Sequence, residues 1–248
     1  VTVDIETNYD VVLTETDLDA WIENLKAAES FAFDTETTNL DYMVAELVGV
    51  SFCCVPGVAA YVPLMHDYEG APAQLDISLV LDKLKVLLED PLRTVIGQNL
   101  KYDVSVLAKY GVQMRANIFD TMLESYVLNS VGSRHNMDDL ALKYLGKSTV
   151  HFEDIAGKGA KQLTFNKIEI DKAAHYAAED ADITFRLHEV LYSKLAEVTN
   201  LVSVYADIEL PLVAILSRIE RTGVLVDETQ LCSQSRDLEK RLVELQQE

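Results

Sequence analysis

The apolar positions of this chain fall into two periods, and their alternation along the sequence sets the expected fold. Residues 17 to 30 (DLDAWIENLKAAES) place Leu18, Trp21, Ile22 and Leu25 at helical spacing, which predicts an amphipathic helix. Strand-like runs follow at 31 to 36, 46 to 55 and 58 to 64, the last two joined across Pro56-Gly57. ISLVLDKLKVLLED (77 to 90) predicts a helix stopped by Pro91, and RTVIGQ (93 to 98) a short buried strand. That strand runs into a helix capped by Asn99 and stopped at Gly111. NIFD (117 to 120) predicts a further short strand or turn; helices are expected at 121 to 130, 137 to 146 and about 167 to 198. The loop 151 to 166 carries glycines and lysines, but its GKG lacks the spacing and terminal Ser/Thr of a phosphate-binding loop. Strands alternating with helices predict an α/β domain, and the short turns between the first strands predict a mixed sheet. Beyond residue 198 an apolar stretch and a charged amphipathic helix read as the start of another unit. The expected division is therefore 1–198 and 199–248.

Carboxylates interrupt this pattern where apolar residues belong. In FAFDTETTNL (31 to 40), strand alternation turns Ala32, Asp34 and Glu36 to one face and Phe31, Phe33 and Thr35 to the other. Two acids on one face beside buried aromatics repel each other and resist desolvation. Asp103 falls in the helical stripe of Leu100, Leu107 and Tyr110. Asp180 falls in the stripe of Ala173, Tyr176, Ala177, Thr184, Leu187 and Leu191, with Tyr176 one turn before it. Glu179 and Asp182 fall towards Lys172, His175 and Arg186, which predicts solvated acids. Each acid has an ordinary reading alone: a strand-end cap, a salt-bridged helix start, the rim of a buried stripe. Together they predict four acids converging from one strand and two helices. No basic residue lies near the strand acids in sequence, and Lys101 is off the face of Asp103. The arrangement therefore calls for divalent cations bound through hard oxygen ligands, magnesium or manganese.

Composition narrows the partners. The chain has 248 residues and a net charge of −20, which argues against a duplex binder working by phosphate neutralisation alone. Residues 93 to 172 nonetheless hold eleven Lys/Arg against nine Asp/Glu, a local surface compatible with anions. Three cysteines without framework spacing predict reduced thiols, all read as packing residues, and no zinc pattern. No run was long enough to suggest a membrane span, and the acidic start is unlike a secretion signal, so no membrane partner and a cytoplasmic location are expected.

The motifs also carry a resemblance. FDTETTNL, then GQNLKYDVSVL with FDTMLESYVLN, then YAAEDADIT resemble the three exonuclease motifs of the 3′→5′ proofreading domain of bacterial family A DNA polymerases, the exonuclease type with four acids and a tyrosine. The resemblance runs the full length, with no departure at a motif acid. IELPLVAILSRIERTGVLVD resembles the first residues of the polymerase domain. The resemblance implies a ribonuclease H-like fold, a mixed five-stranded sheet flanked by helices and followed by the first polymerase helices. It implies two divalent ions, Mg2+ with Mn2+ or Zn2+ as alternatives: Asp34, Glu36 and Asp180 would hold one, and Asp34 would bridge to the second, with Asp103 in its outer shell. Tyr176 and Glu36 would orient the attacking water. Leu40 and Phe152 resemble apolar residues that stack on terminal bases, and Gln98, Asn99, Tyr102 and Arg134 match positions that contact the strand. The implied partners are the 3′ end of single-stranded DNA and the polymerase domain of the same full-length chain, in a bacterial cytoplasm. Two rivals remain: a ribonuclease D-like RNA exonuclease, which shares the acids and the tyrosine, and a catalytically silent scaffold domain, which would have lost motif acids.

Overall fold

The computed structural model describes residues 6–132 and 134–247. Six strands form one mixed sheet: β1 (Asn8–Val11), β2 (Phe31–Thr37), β3 (Leu47–Val55), β4 (Val58–Pro63), β5 (Thr94–Gly97) and β6 (Asn117–Asp120), in the order β1-β4-β3-β2-β5-β6. β2, β3 and β4 are antiparallel neighbours, whereas β5 and β6 continue the sheet in parallel from β2. The α/β class and mixed sheet are as expected, with one strand more than five. The extra strand is β1, parallel to β4 at the sheet edge. Its NYDV sequence is mostly exposed and shows no period-two signal; what holds it is tertiary, with Tyr9 Oη donating to Asp182 at 2.9 Å and Trp21 Nε1 to Asp10 at 3.1 Å.

The two sheet faces have different coverings. On one, α1 (Glu15–Ala27), α2 (Ile77–Leu88) and α3 (Leu100–Lys109) enclose Phe31, Phe33, Phe52 and Val95 in the largest apolar cluster. On the other lies α7 (Ile170–Ala196), which meets Ala32, Ala59 and Ile96 with its own Ala178 and Ala181. Small residues on both sides let this helix lie close to the strands, and that closeness sets how far its acids reach. Between α3 and α7 run α4 (Thr121–Leu128), α5 (Met137–Leu140), which continues as a π turn over Ala141–Leu145, and the short α6 (Phe152–Ala156).

Several expectations change in the folded chain. Asn99 does not cap α3: its backbone is left-handed (φ 62°) and its side chain makes no cap bond. The cap is Asp120, buried at the end of β6, which accepts from the amides of Asn99, Leu100 and Met122 at 2.8–3.1 Å. One carboxylate thus serves the N-termini of both α3 and α4, where backbone donors lack partners and the helix dipole favours an anion. Glu179 and Asp182 are buried, not solvated. Asp182 accepts from Gly57 N at 2.7 Å and from Tyr9 as well, while Glu179 pairs with Lys147 at 2.9 Å and accepts from Val150 N. α7 is enclosed on more sides than a single stripe implies, because β1 and the 147–150 segment fold over it. Cys53 packs in the core, but Cys232 is exposed on the last helix.

Beyond residue 198, α8 (Thr199–Val204), a π turn (Tyr205–Glu209) and α9 (Leu210–Thr222) form one helical run of 24 residues. Contrary to expectation, that run is long and apolar enough by length and composition to cross a membrane. The π turn carries it through Asp207 and Glu209, which break the apolar pattern in sequence. In this fold it packs on the sheet domain through Tyr205, Val213 and Ser217, all buried. α10 (Glu228–Gln247) buries none of its residues.

Gly49 allows a close approach that no other residue would. A Cβ there would stand 2.2 Å from Tyr61 Oη, and the Tyr61 ring is buried with its hydroxyl bonded to His66 Nε2 at 2.8 Å. The ring has nowhere to move. Gly49→Ala is expected to destabilise the fold by about 1–3 kcal/mol, read as a lower urea midpoint at unchanged slope; an unshifted midpoint would mean that Tyr61 is not fixed there.

Candidate active site

The site lies at the C-terminal end of the central strand β2, just where its parallel neighbour β5 has ended and turned into α3. In open α/β sheets, diverging connections beyond strand C-termini leave a crevice for ligands. Here the crevice is a cavity of about 700 Å³ lined by Asp34, Glu36, Asp103, Tyr176, Leu40, Gln98, Asn99, Tyr102 and Phe152 among others. A larger open groove of about 1070 Å³ beside α1 and β1 gathers only exposed acids, Asp10, Asp17, Glu29 and Glu189, and no converging chemistry.

Three elements deliver the acids. β2 places Asp34 opposite Ser51 and Glu36 opposite Gly49, with Tyr61 of β4 lying over that glycine. α3 brings Asp103, whose Oδ1 accepts from the Thr35 amide at 3.1 Å and from the Thr35 hydroxyl. α7 brings Tyr176 and, one turn later, Asp180, buried beside the same charges.

All four carboxyls are pushed above their ordinary range, and burial is the largest cause in each. Asp34 is pushed up to about 7, against the pull of its bond to the Thr35 backbone. Glu36 is raised by burial, then by Asp34, Asp180 and Asp103. Asp103 and Asp180 are raised by burial and then by Asp34, which is thus the common neighbour. The Tyr176 phenol is raised by burial, Asp180, Glu36 and Asp34, so it stays neutral. No basic side chain is among the influences on the four acids, and Lys101 pairs elsewhere, with Glu220.

One atom exposes the imbalance. Glu36 Oε1 is buried without any hydrogen-bond partner. A buried acceptor normally finds a donor, and an orphan next to three more acids is a vacancy for positive charge. Hard carboxylate oxygens suit magnesium or manganese, and by this test the residues fit divalent cations. Among the described residues no three such side chains stand gathered as a ready-made metal site.

The other predicted contacts differ in kind. Leu40 is 94% exposed at the cavity mouth, which excludes core packing. Phe152 is half-buried, stacked on Phe165 at 6.3 Å and edge-on to Tyr176 at 6.2 Å, so it belongs to an aromatic wall. Tyr102 bonds through its hydroxyl to Thr37 and to the Asn39 carbonyl. Gln98 donates to the His135 carbonyl at 2.9 Å and accepts from Thr121. Arg134 is exposed and does not line the cavity, although its neighbour His135 holds Gln98. Sequence reasoning missed Thr35, Phe165 and the Gln162–Thr164 stretch of the cavity wall. None of these carried a periodic signal. Asp120 did carry one, an acid immediately before a helix, the usual mark of an N-cap.

Known proteins match this arrangement. A family model described as 3′-5′ exonuclease matches residues 9–196. DNA polymerase I of Pseudomonas aeruginosa is 56% identical over 245 residues, covering 98% of this chain and 27% of that protein. DNA polymerase I of Rhizobium leguminosarum is 43% identical over 248 residues, covering 93% of this chain and 24% of that protein. The chain thus spans about a quarter of the length of these curated relatives. Among solved structures, Brucella melitensis NrnC superposes with a TM-score of 0.64 at 21% identity, over 88% of this chain and 94% of that one. The Pol1 POL domain of M. smegmatis, in complex with DNA primer-template and dNTP, gives 0.69 at 20% identity, over 92% and 36% respectively. These two likenesses show a fold that the chain shares with both.

The raised carboxyls link stability to pH. Between the ordinary carboxyl value of about 4 and the value of about 7 for Asp34, the folded protein holds more protons than the unfolded chain. In EDTA, stability is therefore expected to fall as pH rises through that window. Asp34→Asn should flatten the fall, measured by urea midpoints at half-unit steps; a parent profile already flat would remove the electrostatic account.

Proposed function

The chain belongs to the 3′-5′ exonuclease family of family A DNA polymerases, hydrolases acting on DNA, and from that we propose that it removes nucleotides from single-stranded or frayed 3′ ends as 5′-monophosphates. The observation that carries this reading is the orphaned Glu36 oxygen among Asp34, Asp103 and Asp180, beside a neutral Tyr176. Asp34, Glu36 and Asp103 line the cavity, with Asp180 buried behind them, where a terminal phosphodiester would need charge compensation.

Asp34, Glu36 and Asp180 would hold divalent cations, two in number, with Asp103 behind them. When bound, such ions lower the pKa of a water and stabilise the attacking and leaving oxygens of an in-line displacement. The chain's own residues do the rest. Tyr176, kept protonated by burial and by the acids around it, is no base; its phenol orients the attacking water together with Glu36. The new bond joins the water oxygen to the terminal phosphorus. The bond that breaks is to the 3′-oxygen of the penultimate nucleotide, which leaves with a proton. Leu40 at the mouth and Phe152 on the aromatic wall would flank the terminal bases, a contact open to any base because each has a π face. Gln98, Asn99, Tyr102 and Arg134 would bear on the strand behind them.

Such a site selects for ends that are already unpaired, because unpairing costs least at a mismatch. On this reading the chain proofreads for a polymerase domain that follows residue 198, in a bacterial cytoplasm. The basic surface of 93–172 has a smaller part in guiding the strand than its composition implied. Arg93, Lys101, Lys147, Lys158, Lys167 and Lys172 are all in ion pairs with acids of this chain.

Asp34→Ala and Asp180→Ala are each expected to lower magnesium-dependent degradation of labelled single-stranded DNA by about 10²–10³-fold or more. Their melting temperatures in EDTA should hold or rise, since repulsion is relieved. Unfolding of either variant would make the acids structural. In the same assay DNA is expected to be degraded in preference to RNA; the reverse order would favour a ribonuclease D-like enzyme.

A second expectation concerns the end itself. Single strands should be degraded fastest, then mismatched 3′ ends, then paired ones. Equal rates on all three would remove the proofreading assignment.

A further inference from the structure

The loop that carries Leu40 is held from outside the matched exonuclease region. Tyr102 of α3 anchors it by bonding to Thr37 and to the Asn39 carbonyl. Against the Tyr102 ring lies Tyr42, edge-on at 6.5 Å. Tyr42 donates in turn to Glu220 Oε2 at 3.4 Å, and the other oxygen of that carboxylate takes Lys101 Nζ at 2.6 Å. Lys101 is the residue before Tyr102. Glu220 sits near the C-terminal end of α9, beyond residue 196, where the family match ends.

Glu220 therefore grips both ends of one assembly: the helix that carries Tyr102 and Asp103, and the turn that follows Leu40. Its placement is fixed by packing independent of the ion pair. Ser105 Oγ and Ser217 Oγ meet at 2.8 Å, both fully buried, on the α3 and α9 faces in contact. Lys109, two turns along α3 from Lys101, donates to the carbonyls of Tyr42, Met43 and Ala45 and fixes the far side of the same turn. α9 is thereby seated against α3 whether or not the carboxylate is present. What the carboxylate adds is the position of Tyr42 and Lys101.

We propose that Glu220 is a positioning residue for the nuclease, acting through Tyr42 and Lys101 to set the Leu40 loop, so that the helix α9 governs how the 3′ end is seated. The proposal rests on the function inferred above, with Leu40 as a base-stacking residue. It gives α9 a role in strand binding and none in bond cleavage, since Glu220 does not line the cavity.

The test uses this chain, magnesium and a labelled single strand of DNA, with kcat and KM measured separately. Glu220→Ala is expected to raise KM about fivefold, the effect of losing one partly exposed ion pair, with kcat within about twofold. Tyr42→Phe, which removes only the hydroxyl, should move KM in the same direction by less. In a Leu40→Ala background, Glu220→Ala should have little further effect, because the residue it positions is gone. Melting temperature should stay within a degree or two of the parent, which a purely structural role would not allow alongside a KM change. If Glu220→Ala fails to fold, the Tyr42→Phe and Leu40→Ala pair decides by the same non-additivity. Unchanged KM in the single variants, or full additivity with Leu40→Ala, overturns the proposal. An inactive parent chain that Asp34→Ala leaves no worse would instead overturn the function on which it rests.

Discussion

Four carboxylates that share one buried corner are the constraint on which the rest of this molecule depends. Burial disfavours the charge on each, and each disfavours it on the others, with Asp34 at the centre of the repulsion. Folding gathers them because the elements that carry them are held by much larger apolar contacts. Phe31 and Phe33 fix β2 from one face, Ala32 with Ala178 and Ala181 from the other. The repulsion is concentrated at one corner, and hard oxygens crowded in this way are complementary to a cation.

The acids are arranged with very different partners according to their duty. Asp120 and Asp182 are buried at least as deeply as Asp103, yet each is surrounded by donors: four backbone amides for Asp120, and Gly57 N, Tyr9 and the more distant Arg186 for Asp182. They close helix ends and pin an edge strand. Glu36 is left with an oxygen that nothing satisfies.

The boundary after residue 198 is a boundary in pattern more than in space. Tyr205 inserts a fully buried ring beside Phe119 and Tyr192, and its hydroxyl accepts from the Asp120 amide at 2.8 Å. Asp120 in turn caps α3, which carries Asp103. The helices that follow the exonuclease region therefore bear on the site along two routes, through Tyr205 to the start of α3 and through Glu220 to its flank.

By itself the sequence determined the element order, the α/β class, the stripes that enclose the core and the four acids with Tyr176. Those are properties of period and of residue type: an acid inside a period of apolar residues is visible as an interruption wherever the chain later goes. It did not determine the edge strand β1, because four mostly exposed residues bear no period and depend on Tyr9, Asp10 and their distant partners. It misjudged Glu179 and Asp182, because helical periodicity fixes the face of α7 on which a residue stands but not which other segments of the chain fold over that face. Leu40 as an exposed residue, Glu36 as an unsatisfied one and Glu220 as a neighbour of Tyr42 were settled only in three dimensions. Exposure, satisfaction and proximity are relations between segments, and the pattern along any one segment does not contain them.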